Sequence, residues 1–248
     1  MSPIAVTGRI ERRLLVNLRV DPAAVAPFLP PPFRPLEVDG RAVAGLCLIR
    51  LAGLRPAGLP PTPGLTTENA AHRIAVEWRE GGRRRTGVWI PWRHTTSALT
   101  ARLGGRAFPA VHERARFEVD DAGDRLRIAV TDRDGALATV TCGPSAEVAA
   151  GSVFASAGAA HDFFVRDGAI GVSPSRRPGR GDVVTLTTGA ATYTPLVVED
   201  GALPRFLAWW PDAVWDSAFV VRDVPCRWSG GPGAMALGRP RALPARAA

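Results

Sequence analysis

The stretch AAHRIAVEWREGGRRRTGVWIPW, residues 70–92, sets two runs rich in β-branched and aromatic residues on either side of Gly81-Gly82. Such runs fit a pleated sheet, and glycine takes the positive-φ geometry of a tight reversal without steric penalty, so residues 70–80 and 84–92 read as a β-hairpin. The pattern spreads in both directions. Upstream, residues 36–41 (LEVDGR) turn at Asp39-Gly40 into the apolar run 42–49, a second hairpin. Residues 12–20 (RRLLVNLRV) suit a strand, and Asp21-Pro22 offers an N-cap followed by proline at the first helical position, predicting a short helix through Phe28 that Pro30-Pro31-Pro32 ends. Between the hairpins, residues 53–64 (GLRPAGLPPTPG) cannot hold regular structure, because proline fixes φ and removes a donor; they read as a surface loop or lid.

Downstream, Thr95-Thr96-Ser97 supplies capping hydroxyls for a helix through Leu103, ended by Gly104-Gly105. Residues 114–119, 125–132 and 137–142 form a predicted meander. Residues 152–165 read as helix, 168–174 as a short strand, 176–181 as a flexible loop, 183–191 and 193–198 as strands, 203–210 as helix, and 215–223 with 226–228 as closing strands. Residues 229–248 are mostly Gly, Pro, Ala and Arg without a periodic apolar face, predicting a flexible tail. The expectation is one mainly β (α+β) domain over residues 1–228, a curved antiparallel sheet that closes on itself with a few short helices, rather than a βαβ wind.

A chain of 248 residues with 46% hydrophobic and 22% charged content can bury a large core, which excludes disordered and collagenous classes. All 31 basic residues are arginine, giving a net charge of +8 and a pI near 11.0. They are spread along the chain, the denser groups lie in Gly/Pro-rich turns, and no nucleic-acid-binding signature accompanies them, so no nucleic acid partner is expected. Three widely spaced cysteines, Cys47, Cys142 and Cys226, read as buried free thiols. No apolar h-region opens the sequence and no run of about 18 apolar residues occurs, which predicts cytoplasmic residence away from membranes.

The order of segments LLVNLRVDPAAVAPFLPPPF, DGRAVAGLCLIRLAGLRPAGLP, TENAAHRIAVEW and GVWIPWRHTTSALTARLGGRAFPAVHE resembles the DUF2071 family, of the YqjF-like kind, within the acetoacetate decarboxylase-like superfamily. The resemblance spans about residues 12–228. It implies a conical, largely antiparallel β-barrel around a mostly apolar cavity with polar groups at its floor. It also implies, for the decarboxylases, a lysine that forms a Schiff base with a keto acid. Trp92-Arg93-His94-Thr95 occupies the matching place here. Arginine stays protonated and is not a usable nucleophile near neutral pH, so no side chain of this sequence can form that Schiff base. The resemblance aligns Glu68, of a reversed Glu-Asn pair, with the family's motif glutamate.

Candidate catalytic residues are therefore Glu68, Arg93, His94 and His112. Arg93 could clamp a carboxylate or enolate with its two-pronged donors, or end a strand in solvent. His94 and His112 titrate near neutrality and could move protons, or pack as ordinary histidines. By strand alternation one of Glu68 and Asn69 must face inward, and His72, four residues from Glu68, shares its face. Asn69, His72, Trp89 and Trp92 are candidate ligand contacts. His161 beside Asp162 reads as a packed histidine. No recurring ligand spacing marks a metal site and no cofactor motif is present, so neither is expected. The expected partner is a small molecule, handled by lyase, dehydratase, isomerase or cyclase chemistry or simply bound; a homo-oligomer is compatible with the sequence.

Overall fold

A computed structural model describes residues 4–60, 64–165 and 168–242. Strands β1 (Ile4–Val20), β2 (Arg34–Pro35), β3 (Glu37–Val38), β4 (Arg41–Pro56), β5 (Leu65–Glu80) and β6 (Arg83–Thr95) precede helix α2 (Ala98–Leu103), with helix α1 (Pro22–Val25) and a 3-10 turn (Ala26–Phe28) after β1. Then come β7 (Glu113–Arg114), β8 (Arg116–Asp120), β9 (Leu126–Asp132), β10 (Gly135–Pro144), α3 (Ala157–Val165), β11 (Ala169–Pro174), β12 (Arg180–Thr188), β13 (Thr194–Ala202), α4 (Pro204–Trp209) and β14 (Val214–Ala236). Two bounds differ from expectation, since β4 runs on through residues 53–56 of the expected loop and α3 begins at Ala157 rather than at residue 152; at the caps and the first hairpin turn, local chemistry acts as expected. Asp21 accepts from the Ala23 amide at 2.8 Å, Ser97 accepts from Thr100 at 3.1 Å, and Asp39 and Gly40 both turn at positive φ, 50° and 67°.

Among the described residues, β1, β4, β5, β6, β11, β12 and β14 pair in that order, and β14 returns to pair with β1, from Ile4↔Gly230 to Arg19↔Val214. The sheet is thus a closed ring. It is mixed: β6 runs parallel to β11 at Val88↔Gly171 and Trp89↔Val172, where the sequence predicted an antiparallel neighbour. From β14 the sheet continues through β13, β10, β9 and β8, a second layer laid over the outside of the ring.

That layer explains why the strands are apolar on both faces. Along β1, Leu14, Val16 and Leu18 join Leu46 and Leu48 of β4 and Ile74 and Val76 of β5 in an outer core shared with Ile128, Val130, Val140 and Phe206. The alternate positions, among them Leu15, Cys47, Ile49, Ala75 and Phe219, face the inside of the ring with Phe154 and Tyr193. A fully buried leucine contributes roughly 1.5–3 kcal/mol, so stability comes mostly from this double lining.

The expected tail is a correction. Ser229–Ala236 continue β14 against β1 and β12 rather than hanging free. Glycine here permits close strand approach: a Cβ on Gly230 would lie 2.2 Å from the Val183 carbonyl oxygen. Beyond the strand, the amides of Leu237, Gly238 and Ala242 donate to Gly179, Pro31 and Pro27. Residues 61–63 of the expected loop and 243–248 of the expected tail lie outside the described residues. No helix among the described residues is long and apolar enough to cross a membrane.

Candidate functional site

The ring encloses a cavity of about 460 Å³. Its wall is mostly aliphatic, with Ile49, Leu51, Val88, Ile90, Val184 and Leu186 around Arg13, Cys47, Asn69, Arg73, Arg93 and His112. Leu65, Leu99 and Leu103 line it while staying 37%, 57% and 41% exposed, which places an apolar mouth between the start of β5 and α2. Among the described residues no carboxylate lines the cavity, and none forms an ion pair with Arg13, Arg73 or Arg93.

Each arginine is held by the strand register. Asn17, Gly45 and Arg73 sit abreast on β1, β4 and β5. Lacking a side chain, Gly45 lets Arg73 reach across to donate to the Asn17 amide oxygen. Asn17 donates on to Ser217, and Ser217 to the buried Asp216 carboxylate, at 3.0 and 2.8 Å. The Arg73 charge is thus answered only through two neutral links. Its guanidinium carbon lies 4.0 Å over the Phe164 ring and its Nε makes no hydrogen bond. Arg13 donates to the Cys47 sulfur at 3.4 Å. Burial draws the Arg73 and Arg93 guanidiniums down to about 10, which leaves both protonated at neutral pH.

Arg93 faces the cavity because of a bulge. His72 pairs with Trp92 and Ile74 with Trp89, so Ile90 and Pro91 together oppose the single residue Arg73. Val88 and Ile90 point inward; the extra residue shifts the phase, and Arg93, three positions on, points inward as well. Its Nε donates to Ser173 at 2.8 Å, and a Cβ on Gly171 would come within 3.1 Å of its terminal nitrogen.

His112 lies on the connection into β7 rather than in a strand. Its Nδ1 sits 3.0 Å from the Ala110 carbonyl oxygen and so carries the proton, which leaves Nε2 as the lone pair available to a ligand. Burial, reinforced by the Arg93 charge, lowers its pKa to about 3, so the ring is neutral at pH 7. Ala110 has φ 75°, a strained value for a residue with a Cβ. Asp182 holds it there: one carboxylate oxygen accepts from the Ala110 amide at 2.8 Å, the other from Gly233 at 2.7 Å.

Of the sequence candidates, the cavity gathers Arg93, His112 and Asn69. The remaining five face outward. Glu68 accepts from Arg12 at 2.6 Å and Arg50 at 3.2 Å, an ion-pair cluster beneath the second layer. Alternation sends Asn69 in and Glu68 with His72 out. His72 packs edge-on against Trp92, His94 and Phe206 with neither nitrogen hydrogen-bonded, and burial pushes its pKa well below the ordinary value. Trp89 contacts Phe33, and Trp92 lies on Trp209. His94 is drawn down to about 4 by burial and by Arg205. Its Nε2 is 3.5 Å from Asp132, and with Glu113 these ligand atoms lie within 4.8 Å of one another, but Arg205 already holds Asp132 at 2.7 Å and supplies the positive charge there. Arg13, Arg73 and Cys47 were missed. The available signal was a charge at an inward position of otherwise apolar strands.

The model of the DUF2071 family, described as an uncharacterized conserved protein, matches residues 7–167. This chain belongs to the DUF2071 family. Among solved structures, this DUF2071 chain is similar to the acetoacetate decarboxylase of Legionella pneumophila, with TM-score 0.60 and 14% identity over 94% of this chain and 87% of the other. It is also similar to an acetoacetate decarboxylase-like enzyme from Sphingomonas wittichii, with TM-score 0.59 and 14% identity over 96% and 94%. A third is the enduracididine biosynthesis enzyme MppR complexed with pyruvate, with TM-score 0.52 and 14% identity over 97% and 91%. At these identities the likeness is one of fold. A sequence search of curated proteins matches none.

Proposed function

We propose that this DUF2071 chain is a lysine-independent enzyme that takes a small, partly apolar carboxylate with an enolisable carbonyl into the ring cavity and performs proton-transfer chemistry on it, of lyase, dehydratase, isomerase or cyclase type. The observation that carries this reading is that Arg13, Arg73 and Arg93, three of the four arginines lining this aliphatic cavity, have no carboxylate partner among the described residues. Buried charge is expensive unless paired, and an anionic ligand supplies the missing partner. Arg93 is suited to hold a carboxylate or a developing enolate oxygen, and the neutral Nε2 of His112 to take the α-proton. The complex of MppR with pyruvate, on the same fold, supports a keto acid as the first class to try.

A second reading, a binding protein for the same anion, is favoured by the absence of lysine and by His112 being the one proton carrier we assign. The two separate in a single experiment. A panel of α- and β-keto acids and aryl carboxylates is screened for thermal stabilisation, and compounds that stabilise are followed by NMR in D2O. The enzyme reading expects α-proton exchange that His112→Asn abolishes while stabilisation persists, with Arg93→Gln weakening both. Stabilisation without exchange or product selects the binding protein. No stabilisation by any carboxylate overturns both readings.

A further inference from the structure

Cys47 is the one thiol in the described cavity wall. It lies on β4 between Leu15 of β1 and Ala71 of β5, and Ala71 in turn pairs with Arg93. The small Ala71 side chain leaves the path from the sulfur toward Arg93 open. Arg13 donates to the sulfur at 3.4 Å, and Arg73 and Arg93 line the same cavity. Arg73, only 4% exposed, lines the same cavity with its Nε unpartnered. The thiol therefore sits at the focus of a positive field built to receive an anion. Cys142 and Cys226 do not line the cavity, and burial raises both, Cys142 to about 12, although the Arg13 charge opposes the rise at Cys226.

We propose that Cys47 is a nucleophile of this cavity, placed to capture electrophilic carboxylates, in particular α,β-unsaturated acids, by conjugate addition. The arginines hold the carboxylate and bring the β-carbon to the sulfur. The S–C bond forms as the C=C π bond breaks, and the thiol proton ends on the α-carbon, so the thiol and the unsaturated acid account for every atom and electron. The guanidiniums favour an anionic electrophile, and a neutral electrophile of the same size gains nothing from them. The proposal rests on the anion-binding reading of the cavity and adds a covalent step to it.

The test uses two paired reagents on the intact protein, iodoacetate against iodoacetamide and acrylate against acrylamide, with the rate at each cysteine read by peptide mass spectrometry and glutathione as the reference thiol. The expected result is modification at Cys47 ahead of Cys142 and Cys226. The acid-to-amide rate ratio should exceed that of glutathione by about tenfold, the effect of roughly one added charge contact, and Arg13→Gln should reduce it. An unreactive Cys47, or a ratio equal to that of glutathione in the unsubstituted protein, overturns the proposal. Thermal stabilisation of the untreated protein by benzoate and pyruvate is recorded alongside. If that stabilisation is present and Cys47 shows no preference, the nucleophile is excluded and the anion site stands; if both are absent, both fall.

Discussion

Glu68 and His112 both carry ionisable groups away from solvent, yet their partners give them opposite uses. Glu68 answers two arginines on the outside of the ring. Replacing it with glutamine leaves Arg12, 3% exposed, with only the longer 3.5 Å contact to Asp121, and should cost about 3 kcal/mol of unfolding free energy in a denaturant titration. Carboxylate binding by the folded variant should be unchanged, since Glu68 does not line the cavity. Asp182 is the contrasting case. It touches no ligand position itself but pins the strained Ala110 through a charge-assisted hydrogen bond. Asp182→Asn should lower stability by about 2 kcal/mol and should also raise the apparent Kd for a carboxylate, because the loop carrying His112 loses its anchor.

At the scale of elements, two glycines make opposite predictions. A Cβ on Gly45 would fall 2.0 Å from the Val16 carbonyl oxygen, against backbone that cannot give, so Gly45→Ala should prevent soluble expression or lower Tm sharply. At Gly171 the nearest atoms are the far ends of Ile90 and Arg93, at 3.0 and 3.1 Å, which can move. Gly171→Ala should leave Tm nearly unchanged while weakening carboxylate binding, read by calorimetry. These positions also show where sequence reasoning stopped. The hairpins, caps and short helices were legible because each depends on a few adjacent residues, as at Asp21 and Asp39-Gly40. The inward turn of Arg93 was not, because it depends on a bulge at Pro91 whose phase is set by the neighbouring strand. His72 and Glu68 were correctly placed on one face of β5, but which face meets the cavity is decided by the second layer, which sequence periodicity does not register. Gly230 and its neighbours read as a tail because glycine that permits close strand approach looks, in one dimension, like glycine that permits disorder.

For the whole molecule, the buried histidines fix the direction of its response to acid. His72, His94 and His112 all have native pKa values depressed below 6.5, principally by burial, to about 4 for His94 and about 3 for His112. Between pH 6.5 and about 4 the unfolded chain binds protons that the native chain refuses, so stability is full above pH 6.5 and falls as the pH drops through this window. Each such group removes up to about 1.4 kcal/mol per pH unit. Calorimetry should show Tm falling from pH 7 to pH 5, and His72→Phe, which removes one of these groups, should flatten the slope.

The pairing of β1 with β14 sets a schedule for synthesis as well as a shape. The wall between β1 and β12 is made of residues 214–236, so a nascent chain that has already emerged through β13 holds its arginines on an open, unclosed sheet. The proposed anion site is closed only after β14 has been made. Contacts between residues some two hundred positions apart form slowly, and ribosome-bound chains stalled before residue 214 should therefore show neither carboxylate-dependent protease protection nor selective labelling of Cys47, both of which should arise together once β14 has emerged.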